Sequence, residues 1–163
     1  MVGKIYATVM MQNPFELLRL PLEFDIPDEL LQRNYHKLMK TVHPDLYHTQ
    51  TEKDFMTAKA MLINQAFQKL RDPIQRASIL LETLHIDVDA TASQPDLEFL
   101  EEIIQLQEIR DSQLIQRTFD KAQTNFARAF LEKNLSLLKK SFSTMKYLSK
   151  SVSKPIKTMQ NNL

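Results

Sequence analysis

Residues 27–45 read PDELLQRNYHKLMKTVHPD, and their spacing decides how the chain is built. Leu31, Tyr35, Leu38 and Val42 recur at intervals of four, three and four, which sets them on one stripe of a helix. Arg33, Lys37 and Lys40 fall on the opposite side. Pro44 disfavours helical angles at His43, so a helix over 27–42 is predicted to stop there and leave His43, Pro44 and Asp45 in a loop.

Working outward, Pro14 suits the first turn of a short helix carrying Phe15, Leu17, Leu18 and Leu20, which Pro21 ends. After the loop, a helix over 52–71 offers Phe55, Leu62, Ile63, Ala66 and Leu70 to a core and pairs with the helix over 27–42 as an antiparallel hairpin. Asp72-Pro73 breaks that pattern, and 74–85 reads as a further helix with Ala77, Leu80, Leu81 and Leu84. Residues 86–95, rich in Asp, Ala, Ser and Thr and closed by Pro95, read as a linker. Helical patterns over 96–111, 112–133 and 135–152, joined by short turns, predict a small antiparallel bundle, with a weaker pattern after Pro155. The expected division is a tail over 1–13, with Met11 an alternative start, then domains over 14–85 and 96–163.

Gly3 is the one glycine, which removes most of the turn chemistry that hairpins and phosphate-cradling loops need. No segment alternates as a strand does, so the fold class is all-α. At 163 residues and 43% apolar, the chain can build a core without staples. It has no cysteine, which excludes disulfides, thiolate chemistry and cysteine-ligated zinc or clusters. That fits a reducing compartment: a bacterial cytoplasm, with the mitochondrial matrix as the alternative. Lys+Arg 21 against Asp+Glu 20 means that a charged partner meets a local patch, and nucleic acid is not expected. No apolar run approaches the roughly 20 residues of a membrane span, so no membrane partner is expected. The four histidines, at 36, 43, 48 and 85, are too scattered for a metal set, and no cofactor is implied.

Two places have functional potential. The His43-Pro44-Asp45 loop follows a helix with a basic outer face, and a proline-stiffened tip bearing a ring nitrogen and a carboxylate can engage a partner's hydrogen bonds; the plain alternative is a solvated turn. As a proton-moving pair it would need an oxyanion donor, a nucleophile motif or a glycine-rich site, and none accompanies it. The helix from Asp96 carries two apolar stripes. Phe99, Ile103 and Leu106 form the first; Leu97, Leu100 and Ile104, continued by Glu108, form the second. The second is either buried against the first domain or open as a protein-binding surface. In the last helix Leu135, Leu138, Phe142 and Met145 share a stripe from which Tyr147 points away, as an interface anchor or as the rim of the core.

Tyr35-His36-Lys37-Leu38 through His43-Pro44-Asp45 resembles the second helix and loop of a J-domain. Ile63-Asn64-Gln65-Ala66-Phe67-Gln68-Lys69-Leu70-Arg71-Asp72-Pro73, followed by Arg76-Ala77, resembles the matching stretch of HscB-type co-chaperones of iron–sulfur cluster biogenesis. Asn13-Pro14-Phe15-Glu16-Leu17-Leu18, Leu20-Pro21 and Phe24-Asp25-Ile26 are similar to that family's start. The likeness covers 13–85 by residues and the remainder by pattern. It implies an N-terminal J-domain followed by a C-terminal three-helix bundle, and an activator of a partner's ATPase instead of an enzyme. The implied partners are an HscA/DnaK-class chaperone, met by Arg33, Lys37, Lys40, His43, Pro44 and Asp45 with His36 on the flank, and an IscU-type iron–sulfur scaffold protein. The scaffold would be met by Leu100, Glu101, Ile104, Gln105, Glu108 and Tyr147. A general co-chaperone with another client and a structural adaptor with an accidental loop are the competing implications. The chain departs from the family by placing Arg19 where a glycine is usual, by the residue types at Glu101 and Gln105, by a shorter middle bundle helix, and by lacking the cysteine-rich extension of some eukaryotic relatives.

Overall fold

The structure is a computed structural model and describes residues 13–88 and 97–152. The expected tail, most of the expected linker, Asp96 and the pattern after Pro155 lie outside those residues. The chain divides into two compact units, Met1–Asp87 and Val88–Leu163. Among the described residues every regular element is helical, and no helix is long and apolar enough to cross a membrane.

In the first unit α1 spans Pro14–Leu17, α2 Asp28–Thr41, α3 Gln50–Arg71 and α4 Pro73–Thr83, with a 3₁₀ turn over Pro44–Leu46. Each start has a local cause. Asn13 accepts from the Phe15 amide at 2.9 Å ahead of Pro14, and Asp72 accepts from the amides of Ile74 and Gln75 at 2.8 and 3.0 Å ahead of Pro73. α3 begins two residues before the expected Glu52, because Thr49 and Glu52 form a capping box that places Glu52 at the third helical position.

α3 is the common partner of this unit, packing on α1, α2, the 3₁₀ turn and α4. It buries Ile63, Ala66 and Leu70 as expected, together with Phe67, which lies four residues after Ile63 on the same face, while Phe55 and Leu62 are half-buried. Phe67 stacks on Tyr35 of α2, with ring centroids 4.2 Å apart, and the Tyr35 hydroxyl donates to Asn64 Oδ1. Leu31 and Val42 close the α2 side, and Ala77, Leu80 and Leu81 the α4 side. Asn34 reaches from α2 to donate to the carbonyls of Leu18 and Arg19 at 2.9 and 3.0 Å, fastening the end of α1.

Arg76 joins three pieces of backbone. Its Nε donates to Leu70 O and an Nη to Phe24 O, both at 2.8 Å, and its guanidinium lies 5.3 Å from the Phe24 ring centre. Burial lowers its pKa from the ordinary value, while Asp25, Asp28 and Asp72 pull the other way.

In the second unit α5 spans Leu97–Glu108, α6 Ser112–Glu132 and α7 Leu135–Leu148. Asp111 and Asn134 cap α6 and α7. α6 and α7 pack on each other far more extensively than α5 packs on either. Phe119, Ala122 and Phe126 meet Leu138, Phe142, Met145 and Leu148 in the core, and a fully buried side chain of this size contributes about 1.5–3 kcal/mol. Leu135, expected on the same stripe, is instead 53% exposed, at the first position of α7 directly after the turn.

Helix ends without glycine have a shared solution. Arg19, His85, Arg110 and Lys133 all adopt left-handed backbone, with φ of 53°, 58°, 53° and 55°. At Arg19 the 6→1 and 5→2 bonds of a Schellman turn are present, from Leu20 N to Phe15 O and from Arg19 N to Glu16 O, and equivalent pairs close α4 and α6. Left-handed angles cost an ordinary residue roughly 1–2 kcal/mol, which a cation at the negative end of a helix partly offsets.

Two outcomes are expected in denaturant unfolding. Arg19→Gly stabilises the protein by about 0.5–1 kcal/mol, since strain relief exceeds the lost side chain's contribution and the added unfolded-state entropy. Arg76→Ala destabilises it by about 2–3 kcal/mol, because two part-buried carbonyls lose a charged donor.

Candidate functional site

α2 ends at Thr41, whose hydroxyl donates to Leu38 O at 2.7 Å, and buried Val42 anchors the chain as it leaves the helix. The turn that follows is held at both sides. Leu46 N donates to His43 O at 3.1 Å, and the Tyr47 hydroxyl donates back to Thr41 O at 2.8 Å. Between them the side chains of His43 and Asp45 are 61% and 87% exposed. His43 Nδ1 lies 3.4 Å from the Asp45 amide and 3.6 Å from Asp45 Oδ2. These contacts exclude each other, since the first needs a lone pair on Nδ1 and the second a proton. Both are long, so the ring is placed by the backbone turn more than by its neighbour.

Arg33, Lys37 and Lys40 are all exposed and follow one another at helical spacing along α2 toward the loop. None has an ion-pair partner among the described residues. His36 is also exposed, its ring 5.2 Å from that of Tyr35. The arrangement is a charged strip ending in a stiff polar tip. The His–Asp pair lies in open solvent, with no walls to exclude water. Among the described residues no group of three or more His, Asp or Glu is placed to hold a metal ion.

In α5 the first stripe is covered, and two members of the second stand open. Phe99 and Ile103 are buried and Leu106 half-buried, while Leu97 and Ile104 are 72% and 52% exposed. Glu101, Gln105 and Glu108 lie exposed beside Ile104, and Leu100 is half-buried. Tyr147 lies at the rim of the core, one of the two positions expected for it: it is half-buried, with its ring edge-on to Phe99 at 5.9 Å between centroids. Its angle takes it off the stripe that meets α6, but α7 has a second neighbour in α5, and Tyr147 turns onto that neighbour.

No family model matches the chain. A co-chaperone HscB homologue of Photobacterium profundum is 38% identical over 101 residues, covering 61% of this chain and 58% of that protein. Homologues bearing the same name from Shewanella baltica and Vibrio cholerae are 34% and 33% identical over 122 and 129 residues, covering 71% and 73% of this chain and 70% and 75% of theirs. The chain belongs to the HscB co-chaperone family. The crystal structure of human co-chaperone HscB superposes with a TM-score of 0.76 at 25% identity, over 86% of this chain and 79% of that one. HscB from Vibrio cholerae gives 0.71 at 23% identity, over 86% and 93%, which bears on the fold.

Several residues that build the loop do not stand out in the sequence as functional. Tyr47, Thr49 and Glu52 support the far side of the turn, and the Thr-x-x-Glu spacing of a capping box marks Thr49 and Glu52. Tyr47 left no such signal, because its partner is a backbone carbonyl six residues back.

The box carries a pH dependence. Hydrogen bonds from the Thr49 hydroxyl and then the Thr49 amide, at 2.8 and 3.1 Å, lower the Glu52 pKa from its ordinary 4.5. A depressed carboxylate contributes stability above its unfolded pKa and loses it as pH falls through the folded one. The difference in melting temperature between the protein and its Glu52→Gln variant is therefore expected to hold from neutral pH to about 4.5 and to shrink below it; a difference constant down to pH 3 would contradict this.

Proposed function

We propose that this chain couples an HscA/DnaK-class chaperone to an IscU-type iron–sulfur scaffold protein. Residues 14–85 act as a J-domain that stimulates the chaperone's ATPase, 86–95 as a linker, and 96–163 as the domain that carries the scaffold. Arg33, Lys37 and Lys40 dock on an acidic patch of the chaperone, and His43, Pro44 and Asp45 trigger hydrolysis. Leu100, Glu101, Ile104, Gln105 and Glu108, with Tyr147 at their margin, receive the scaffold.

The observation that carries the reading is the stiff, exposed His43–Asp45 turn at the end of an exposed basic strip, in a chain of the HscB family. It supports a device that acts on a partner, since the turn encloses no substrate. The second surface adds proximity: a scaffold held on the same chain reaches the chaperone at raised effective concentration. The reading places the protein in the bacterial cytoplasm, with cluster assembly or transfer as the outcome and the cluster itself as the scaffold's cargo.

ATP turnover by an HscA- or DnaK-class chaperone tests this directly. Stimulation by this protein that rises further with scaffold is the expected result. His43→Gln should abolish stimulation while leaving stability within about 0.5 kcal/mol, because the side chain lies outside the core. Ile104→Glu should keep stimulation and lose the scaffold-dependent rise. Stimulation indifferent to scaffold would assign the bundle another client, and no stimulation of any such chaperone would remove the proposal.

A further inference from the structure

α5 is held less firmly than its neighbours, yet its function as a surface depends on its rotation. Successive residues of a helix are about 100° apart, so a turn of one residue about the axis would carry Ile104 toward the core and bring a different set of side chains outward. Phe99 and Ile103 bury enough to hold α5 against α6 and α7, but apolar contact alone is non-directional. The Lys140–Glu102 pair, at 4.0 Å and largely exposed on both sides, adds little direction.

Tyr147 supplies what the apolar contacts lack. Its ring meets Phe99 at an interplanar angle of 69°, an edge-to-face geometry that fixes orientation as well as distance. Its carbonyl accepts from Gln107 Nε2 at 3.4 Å, at the long end of the range, and the same amide lies 3.5 Å from Ser151 Oγ. One residue of α7 thus engages α5 at both Phe99 and Gln107. Phe99 and Gln107 lie about 80° apart around α5, with Leu100 close to Gln107 in angle, while Ile104 and Glu108 lie farther round, away from Phe99.

We propose that Tyr147 is a positioning residue: acting through Phe99, it sets the rotational register of α5 and so determines which side chains form the partner-facing stripe. Its effect on a partner is transmitted by α5 and does not require the tyrosine to touch the partner. The part that concerns scaffold binding rests on the function proposed above; the part that concerns the register of α5 does not.

The test uses the full chain with Tyr147→Ala, Tyr147→Phe, Phe99→Leu and the Tyr147→Ala/Phe99→Leu double variant, at a temperature where each keeps the wild-type helical circular dichroism. Amide hydrogen exchange reads the hold on α5, and calorimetric titration with an IscU-type scaffold reads the surface. Tyr147→Ala and Phe99→Leu are each expected to speed exchange within α5 and to weaken scaffold binding roughly three- to tenfold. Tyr147→Phe keeps the ring and should restore both, and the double variant should be no worse than the poorer single one. Weakened binding with α5 exchange unchanged would overturn the proposal in favour of direct contact, as would losses that add in the double variant. If the wild-type protein binds no scaffold, the proposed function fails, and unchanged α5 exchange in Tyr147→Ala would still overturn the register claim on its own.

Discussion

The hairpin of α2 and α3 depends on one composite contact, the stack of Tyr35 on Phe67 with the Tyr35 hydroxyl bound to Asn64. Apolar stripes alone would let two helices slide or rotate by a ridge, since many offsets bury similar area. A stacked ring with a directed hydrogen bond selects one offset. Everything that faces outward on α2 follows from it: with Tyr35 turned onto α3, Arg33, Lys37 and Lys40 are left in water, and Val42 is drawn inward where the loop begins. The exposed tip at His43 and Asp45 is therefore a consequence of packing, with Tyr47 and the Thr49–Glu52 box closing the return into α3.

Helix positions were largely legible, because period, proline and capping residues are all local signals. The helix over Asp28–Thr41 is bounded by Pro27 and by the proline after His43, and Asp72-Pro73 separates α3 from α4 as its chemistry requires. What could not be read is set by the number of neighbours each helix acquires. Tyr147 is off the stripe of α7 that meets α6, and it is half-buried because α5 approaches from another side. Leu135 shows the reverse, an on-stripe residue left in water at the first position of its helix. Periodicity reports the dominant neighbour of a helix and is silent about the second.

The scarcity of glycine was read as a pressure toward helices, and it also has a structural cost that the sequence did not announce. Four turns require left-handed backbone, and Arg19, His85, Arg110 and Lys133 provide it. Three of the four carry a positive charge, which suits positions where helix carbonyls converge. A glycine at the position of Arg19, as the family resemblance leads one to expect, would meet the same angle, which the turn demands whichever residue is present. The departure thus changes the stability of the turn between α1 and the chain that follows, and leaves its path intact, as the two Schellman bonds there show.

The two candidate surfaces are built on different terms. The loop belongs to a unit in which α3 touches every other helix, so its position is over-determined and a single exposed substitution has little effect on the fold. The outer stripe of α5 belongs to a helix with fewer attachments, where orientation rests on Phe99, Ile103 and the contact with Tyr147. A rigid trigger and a more loosely seated receiving surface suit the proposed division of work. Hydrolysis in a partner demands a fixed constellation of groups, whereas a surface that takes up and gives up a protein gains from a modest cost of rearrangement. Carrying both on one chain needs no contact between the units, because tethering alone raises the concentration of one partner near the other.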